Sequence, residues 1–337
     1  MASVALLAPA AALERGPPIN ITASTFSSPP WPSARRSQRQ RQTRSCRLQG
    51  RGNLQHIMKI CGACVRELPD DSYSEEQRGL RQSIRRCVEC VAAGNQLVLM
   101  KKGRTRSEAD DCPICQLPLP LDTKQSMFQP CCMKEVCNGC VLAGRKRGMW
   151  ECSFCRTPRP KKQSQGLAMV KKRVDKGDPV AIFFLGTTYK RGEYGLEKDM
   201  TRAAELFERA SELGVKEAHY ILGLLYDLGT EVEKDIDRAI RHNEAAAMNG
   251  HVGARYELGC AEEDAGRCDI ALQHFLISAK LGDQDSLNAV KDLYMKGLAT
   301  KADYSGALRG YQIAIEEMAS PDREEAIKFL ERKKNKE

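Results

Sequence analysis

Ala181-Ile-Phe-Phe-Leu-Gly-Thr-Thr-Tyr189 returns with its spacing intact as Ala218-His-Tyr-Ile-Leu-Gly-Leu-Leu-Tyr226, and again as Ala254-Arg-Tyr-Glu-Leu-Gly-Cys-Ala-Glu262. The period is about 36 residues, and a period of that size marks a stacked helical array. Within each copy the small and large apolar residues fall at i, i+4 and i+8, one face of a helix. A glycine then ends the first helix (Gly192, Gly229, Gly266, Gly297). A second helix follows, with Ala203/Phe207/Ala210, Ala239/Ala246, Ala271/Phe275/Ala279 and Ala307/Tyr311/Ala314, and Gly214, Gly250 and Gly282 close the first three. The pattern predicts an all-α solenoid of four helix pairs, enough to bury a continuous core. Residues 165–176 read as a leading cap helix, and 321–334 as a polar trailing one.

The Leu-Gly-x-x-Tyr signature is followed by Asp-x-x-x-Ala, at Asp199 to Ala203, Asp235 to Ala239 and Asp303 to Ala307. Together these resemble Sel-one-like repeats, a branch of the tetratricopeptide-like solenoids, over about 178–318. The resemblance implies a curved surface that holds a protein substrate or adaptor. Three places depart from it: the third repeat is short after Gly266, Asn243 replaces an aromatic residue, and Val290-Lys291 stands where Leu-Gly is expected. Irregular packing is expected there.

Upstream, cysteine dominates. The chain has 15, and ten of them form five Cys-x-x-Cys pairs. Two thiols three residues apart can face one ion, whereas a secreted disulfide framework has no reason to repeat that spacing. Cys61-x-x-Cys64 and Cys87-x-x-Cys90 are separated by 22 residues, a spacing that suits one four-cysteine zinc knuckle. Between them Tyr73 is placed to cover the metal, and Ser74 to Arg86 reads as a short helix capped by Ser74 and Gln77. The second cluster runs Cys112-Pro113-Ile114-Cys115, Cys131-Cys132, Cys137-x-x-Cys140 and Cys152-x-x-Cys155.

That order, pair, couple, pair, pair, resembles a RING finger of the all-cysteine type. The resemblance implies an interleaved cross-brace, with Cys112, Cys115, Cys137 and Cys140 on one zinc ion and Cys131, Cys132, Cys152 and Cys155 on a second. With the knuckle, three zinc ions are expected. It also implies docking of a ubiquitin-conjugating enzyme, with Ile114 as the exposed apolar contact and Arg156 as the donor beside the last cysteine. Cys131 and Cys132 are adjacent where the family spaces them, Gly144 stands where many ligases carry Trp, and Ser153 replaces a common Pro.

The net charge is +9, yet residues 1–60 hold nine Lys and Arg against Glu14, so the remaining residues are nearly balanced. Basicity therefore belongs to the tail, and nucleic acid is not expected as a partner of the folded modules. Residues 1–57 have the composition of a disordered segment. Their Arg- and Ser-rich make-up also suits an organelle transit peptide, and Met58 offers an alternative start. No apolar run approaches a bilayer span. Paired thiols point to a reducing compartment, cytoplasmic or nuclear.

The organisation expected is a tail (1–57), a zinc knuckle (58–92), a RING-type finger (108–158), a Sel-one-like solenoid (164–320) and a polar C-terminal helix or tail (321–337). The fold class is small α+β zinc modules followed by an all-α solenoid, with the solenoid folding independently of metal. The function expected is that of a RING-type ubiquitin ligase, which has no catalytic residue of its own and works by orienting a loaded enzyme. The alternative is a non-enzymatic zinc-stabilised scaffold, and a third is nucleic-acid binding through the basic tail. Cys260, Cys268 and the scattered histidines read as packing residues. No P-loop, nucleophile triad or dinucleotide motif is present.

Overall fold

The computed structural model describes residues 58–334. The repeats form four helix pairs: α6 (Pro179–Arg191) with α7 (Met200–Glu212), α8 (Lys216–Leu228) with α9 (Ile236–Met248), α10 (Val252–Asp264) with α11 (Cys268–Lys280), and α12 (Gln284–Met295) with α13 (Lys301–Met318). They are preceded by α5 (Gln163–Val174) and followed by α14 (Pro321–Lys334). The recurring aspartate has a local reason. Asp199 and Asp235 are N-caps whose side chains accept from the backbone N–H three residues on, satisfying a donor the helix leaves free. In the fourth repeat Thr300 takes the cap and Asp303 completes a capping box.

The Leu-Gly step also has a packing reason. A Cβ at Gly186 would lie 2.9 Å from the Phe207 ring, and one at Gly259 would lie 2.4 Å from Phe275. Each glycine is the slot into which the second helix drops its aromatic ring, and both rings are fully buried. Asn243 takes the ring's place against Gly223; it is buried, and its Oδ1 makes no hydrogen bond. In the fourth pair Val290 is fully buried, so packing is regular at that residue. The irregularity falls one residue on: with the exposed Lys291 in the glycine position, Tyr311 stays half-buried.

The cysteine-rich half is built from short pieces. Strands β1 (Met58–Ile60) and β2 (Glu67–Pro69) pair antiparallel, with Met58 opposite Pro69. One-turn helices α1 (Glu75–Arg78), α2 (Val88–Ala92) and α3 (Val98–Lys101) follow. Strands β3 (Ser126–Gln129) and β4 (Lys134–Cys137) form a second hairpin leading into α4 (Asn138–Lys146). The helix expected from Ser74 to Arg86 stops at Arg78. Ser74 caps it as expected, but Gln77 Oε1 accepts from Arg86 N at 2.7 Å instead of closing the box, and Arg85 Nε donates to Gln77 O at 3.2 Å. These bonds turn the chain back so that Cys87 returns to Cys61.

The two halves are not separate. One core cluster joins Cys61, Tyr73, Cys87, Leu97, Leu99 and Met100 to Ala246, Leu258, Ile277 and Leu281 of the array. Phe128 on β3 stacks on Phe184 of α6 at 4.2 Å, and α14 packs on α4. The array is therefore not the free-standing body its periodicity suggests, because part of its apolar surface is covered by the chain's own cysteine modules.

Candidate metal centres

Three groups of four thiols form, and in each every Sγ lies within 4.8 Å of the others: Cys61, Cys64, Cys87 and Cys90; Cys112, Cys115, Cys137 and Cys140; Cys131, Cys132, Cys152 and Cys155. These are the three sets expected from the sequence. Sγ to Sγ distances run 3.9 Å for Cys112 and Cys140, 3.8 Å for Cys115 and Cys137, 3.9 Å for Cys132 and Cys152, and 3.4 Å for Cys155 and Cys131. Four sulfurs at about 2.3 Å from a tetrahedral zinc ion would stand about 3.8 Å apart, so the donor set and its size fit that ion.

Three of the five pairs are knuckles of one shape. In each the first cysteine's N–H donates to the carbonyl five residues on (Cys61 to Arg66, Cys112 to Leu117, Cys152 to Thr157), and the residue after the second cysteine donates back to the first. That residue must turn left-handed, and Val65, Gln116 and Arg156 have φ of 62°, 58° and 60°. The other two pairs open helices. Cys87 stands at the N-cap position of α2 and the Cys137 side chain caps α4, and their N–H groups donate to Cys61 Sγ at 3.3 Å and Cys112 Sγ at 3.5 Å. The first two groups thus share one plan, a knuckle facing a helix N-terminus, where backbone donors favour thiolates.

The third group solves the problem of adjacent ligands differently. Cys131 and Cys132 occupy the tight turn between β3 and β4. Cys132 N and Met133 N both donate to Gln129 O, and Met133 takes a φ of 56°. The turn directs both sulfurs at the last knuckle.

Protons are shared unequally within each group. The Cys137 hydrogen bond, with backbone donors, holds Cys112 down to about 4 against burial, while Cys137 itself is pushed up by the same partner and by burial. Burial opposes the Cys64 thiolate, yet Arg66 holds it down to about 6. Burial likewise opposes Cys155, which Thr157 brings down to about 6, while burial raises Cys132 to about 11. Four adjacent thiolates repel, and a divalent cation removes that cost.

Residues outside the cysteine pattern complete the groups. Arg66 Nε donates to Cys64 Sγ at 3.4 Å, Asn95 Nδ2 to Cys90 Sγ at 3.3 Å, and Arg323 Nη2 to Cys115 Sγ at 3.4 Å. Arg66 and Thr157 each lie two residues past a ligand, a position visible in sequence. Arg323 lies 208 residues from its cysteine and left no signal. Ile114, between the first two cysteines of the second group, is 40% exposed, and Arg156 is exposed with Nη1 on Met149 Sδ. Met149 and Ser153 close over Gly144, where a Cβ would meet Met149 Cε at 3.2 Å and Ser153 Oγ at 3.5 Å. The basic tail lies outside the described residues.

The profile of the Sel1 repeat family matches residues 179–215 and 216–251. Residues 179–251 are Sel1 repeats. An uncharacterised protein of Neisseria meningitidis serogroup B is 30% identical over 121 residues, 36% of this chain; the chain spans about a quarter of that relative's length, 26%. A Sel1 repeat protein from Oxalobacter formigenes is 25% identical over 54% of this chain and 72% of its own, with a TM-score of 0.42. A protective antigen of uropathogenic Escherichia coli with an SLR fold is 25% identical over 55% of this chain and 38% of its own, with a TM-score of 0.41. No helix among the described residues is long and apolar enough to cross a membrane.

Proposed function

We propose that this protein is a zinc-held interaction protein in which a Sel1-repeat array carries a RING-type module and a separate four-cysteine knuckle. The observation that carries this reading is the convergence of twelve cysteines into three groups of four, with every Sγ within 4.8 Å of the others in its group. Cys61, Cys64, Cys87 and Cys90 would hold one ion, Cys112, Cys115, Cys137 and Cys140 a second, and Cys131, Cys132, Cys152 and Cys155 a third. Each ion would tie chain ends that have too little core to stay folded alone. The free thiols suit a reducing compartment, cytoplasmic or nuclear. Metal analysis of reduced protein never exposed to chelator should give three zinc ions per chain. One or none would end this reading, and two would locate the failure at the Cys131-Cys132 turn.

A second reading, a ubiquitin ligase, is favoured by one feature of the surface. Packing against the array leaves Ile114 and Arg156 outside, on the two knuckles where a conjugating enzyme would dock. The slot beside Gly144 is closed, so contact would rest on those knuckles. With purified components, Ile114→Ala should abolish ubiquitin chain formation while all three zinc ions stay bound. Arg156→Ala should slow discharge of the loaded enzyme and leave binding of the bare enzyme intact. A zinc-replete chain that stays inert with a broad panel of conjugating enzymes is a scaffold.

A further inference from the structure

On α9, α10 and α11 an apolar floor that includes Ala247, Leu258, Ile277 and Leu281 shares its core with residues from another part of the same chain. Leu97, Leu99 and Met100 enter it and are 7%, 2% and 0% exposed. Arg255, 1% exposed, fastens the backbone above, with Nη1 donating to Leu99 O at 2.8 Å and Nη2 to Lys102 O at 2.7 Å, and is itself tied to the floor by Nη2 donating to Ala247 O at 2.9 Å. Gly103 then passes so close that a Cβ would meet Ala247 O at 1.9 Å. An apolar floor with one buried cation aimed at main-chain carbonyls is the make-up of a site that binds a short peptide.

The other end of this segment is fastened to the first cysteine group. Val98 N donates to Gly62 O at 2.9 Å and Asn95 N to Cys90 O at 2.9 Å. The same module grips the array beside the groove, where Arg81 pairs with Glu244 at 2.8 Å and with Glu262, whose side chain has no exposed surface.

We propose that this face of the array is a peptide-binding groove filled in cis by residues 95–106, and that the Cys61, Cys64, Cys87 and Cys90 group is the latch that keeps it filled. The peptide it fits carries apolar side chains at the spacing of Leu97, Leu99 and Met100 and offers carbonyls where Leu99 and Lys102 do. Loss of metal from the latch frees the segment and opens the groove to a peptide of that kind from another protein. The latch rests on the zinc reading above; the groove does not.

The probe is a fluorescently labelled synthetic peptide of residues 95–106, titrated into the full-length protein and followed by anisotropy. The zinc-loaded wild type should not bind it. The wild type after chelation should bind it saturably, and so should zinc-loaded Gly103→Val and Met100→Glu chains, which expel the segment without touching a cysteine. Adding Arg255→Lys to either variant should weaken binding at least tenfold. Refusal of the peptide by both variants, or equal binding of a scrambled peptide, overturns the groove. Binding by the variants but not by the chelated chain overturns the latch alone. Metal analysis of the wild type decides the zinc reading separately.

Discussion

Glu257 is largely buried on α10, and burial, with Asp227, Asp283 and Asp285 around it, pushes its carboxyl up to about 7. A carboxyl raised in the folded state binds its proton more tightly there than in the unfolded chain. Its contribution is therefore present below the ordinary value of 4.5 and is lost as pH climbs through about 7. Replacing it removes a penalty that builds as pH rises above 4.5 and is complete above about 7. Glu257→Gln should stabilise the protein at pH 8 by up to about 3 kcal/mol and make no difference near pH 4.5. Thermal melts of both chains in zinc-saturated buffer at the two pH values check this.

At the scale of elements, α14 is the clearest departure from expectation. Its charged sequence reads as a polar cap or tail, yet Ala326 is buried and Arg323 is 4% exposed. Arg323 donates to Pro118 O and Met318 O at 2.6 Å and to Leu117 O at 3.1 Å, as well as to Cys115 Sγ. The helix thereby clamps the knuckle of the second cysteine group from outside. Partners of that kind orient ligands, and losing them costs metal affinity about 10–100-fold. Arg323→Ala should release one zinc ion of the three to a competing indicator at correspondingly lower chelator concentration, while the first group keeps its ion. Unchanged release of all three would mean that the clamp only packs.

For the whole molecule, the shared core changes what the halves can do alone. The repeats are held by local stacking, so a fragment of residues 164–337 should remain helical. It would, however, bare the floor around Leu258, Ile277 and Leu281, at a cost on the order of 3 kcal/mol. Its melting temperature, followed by circular dichroism, should fall about 10 °C below that of the intact zinc-loaded chain, and it should bind an apolar dye. A fragment as stable as the whole would mean that the cysteine modules merely rest on the array.

Period and spacing are local properties, and what depends on them was legible in the sequence. The repeat of Leu-Gly marks the helix pairs because a glycine slot is needed wherever a ring is to enter. The Cys-x-x-Cys spacing marks the three thiol groups because a knuckle is closed by its own backbone. Aspartate caps and glycine stops follow for the same reason. Tertiary structure decided the rest: that Arg255 and Arg323 are buried, that α14 serves a cysteine group, and that residues 95–106 fill a groove of the array. Arginine is most often exposed, so its sequence position carries no sign of burial. Only the meeting of chain segments 150 to 210 residues apart supplies the carbonyls and sulfur that make such burial tolerable.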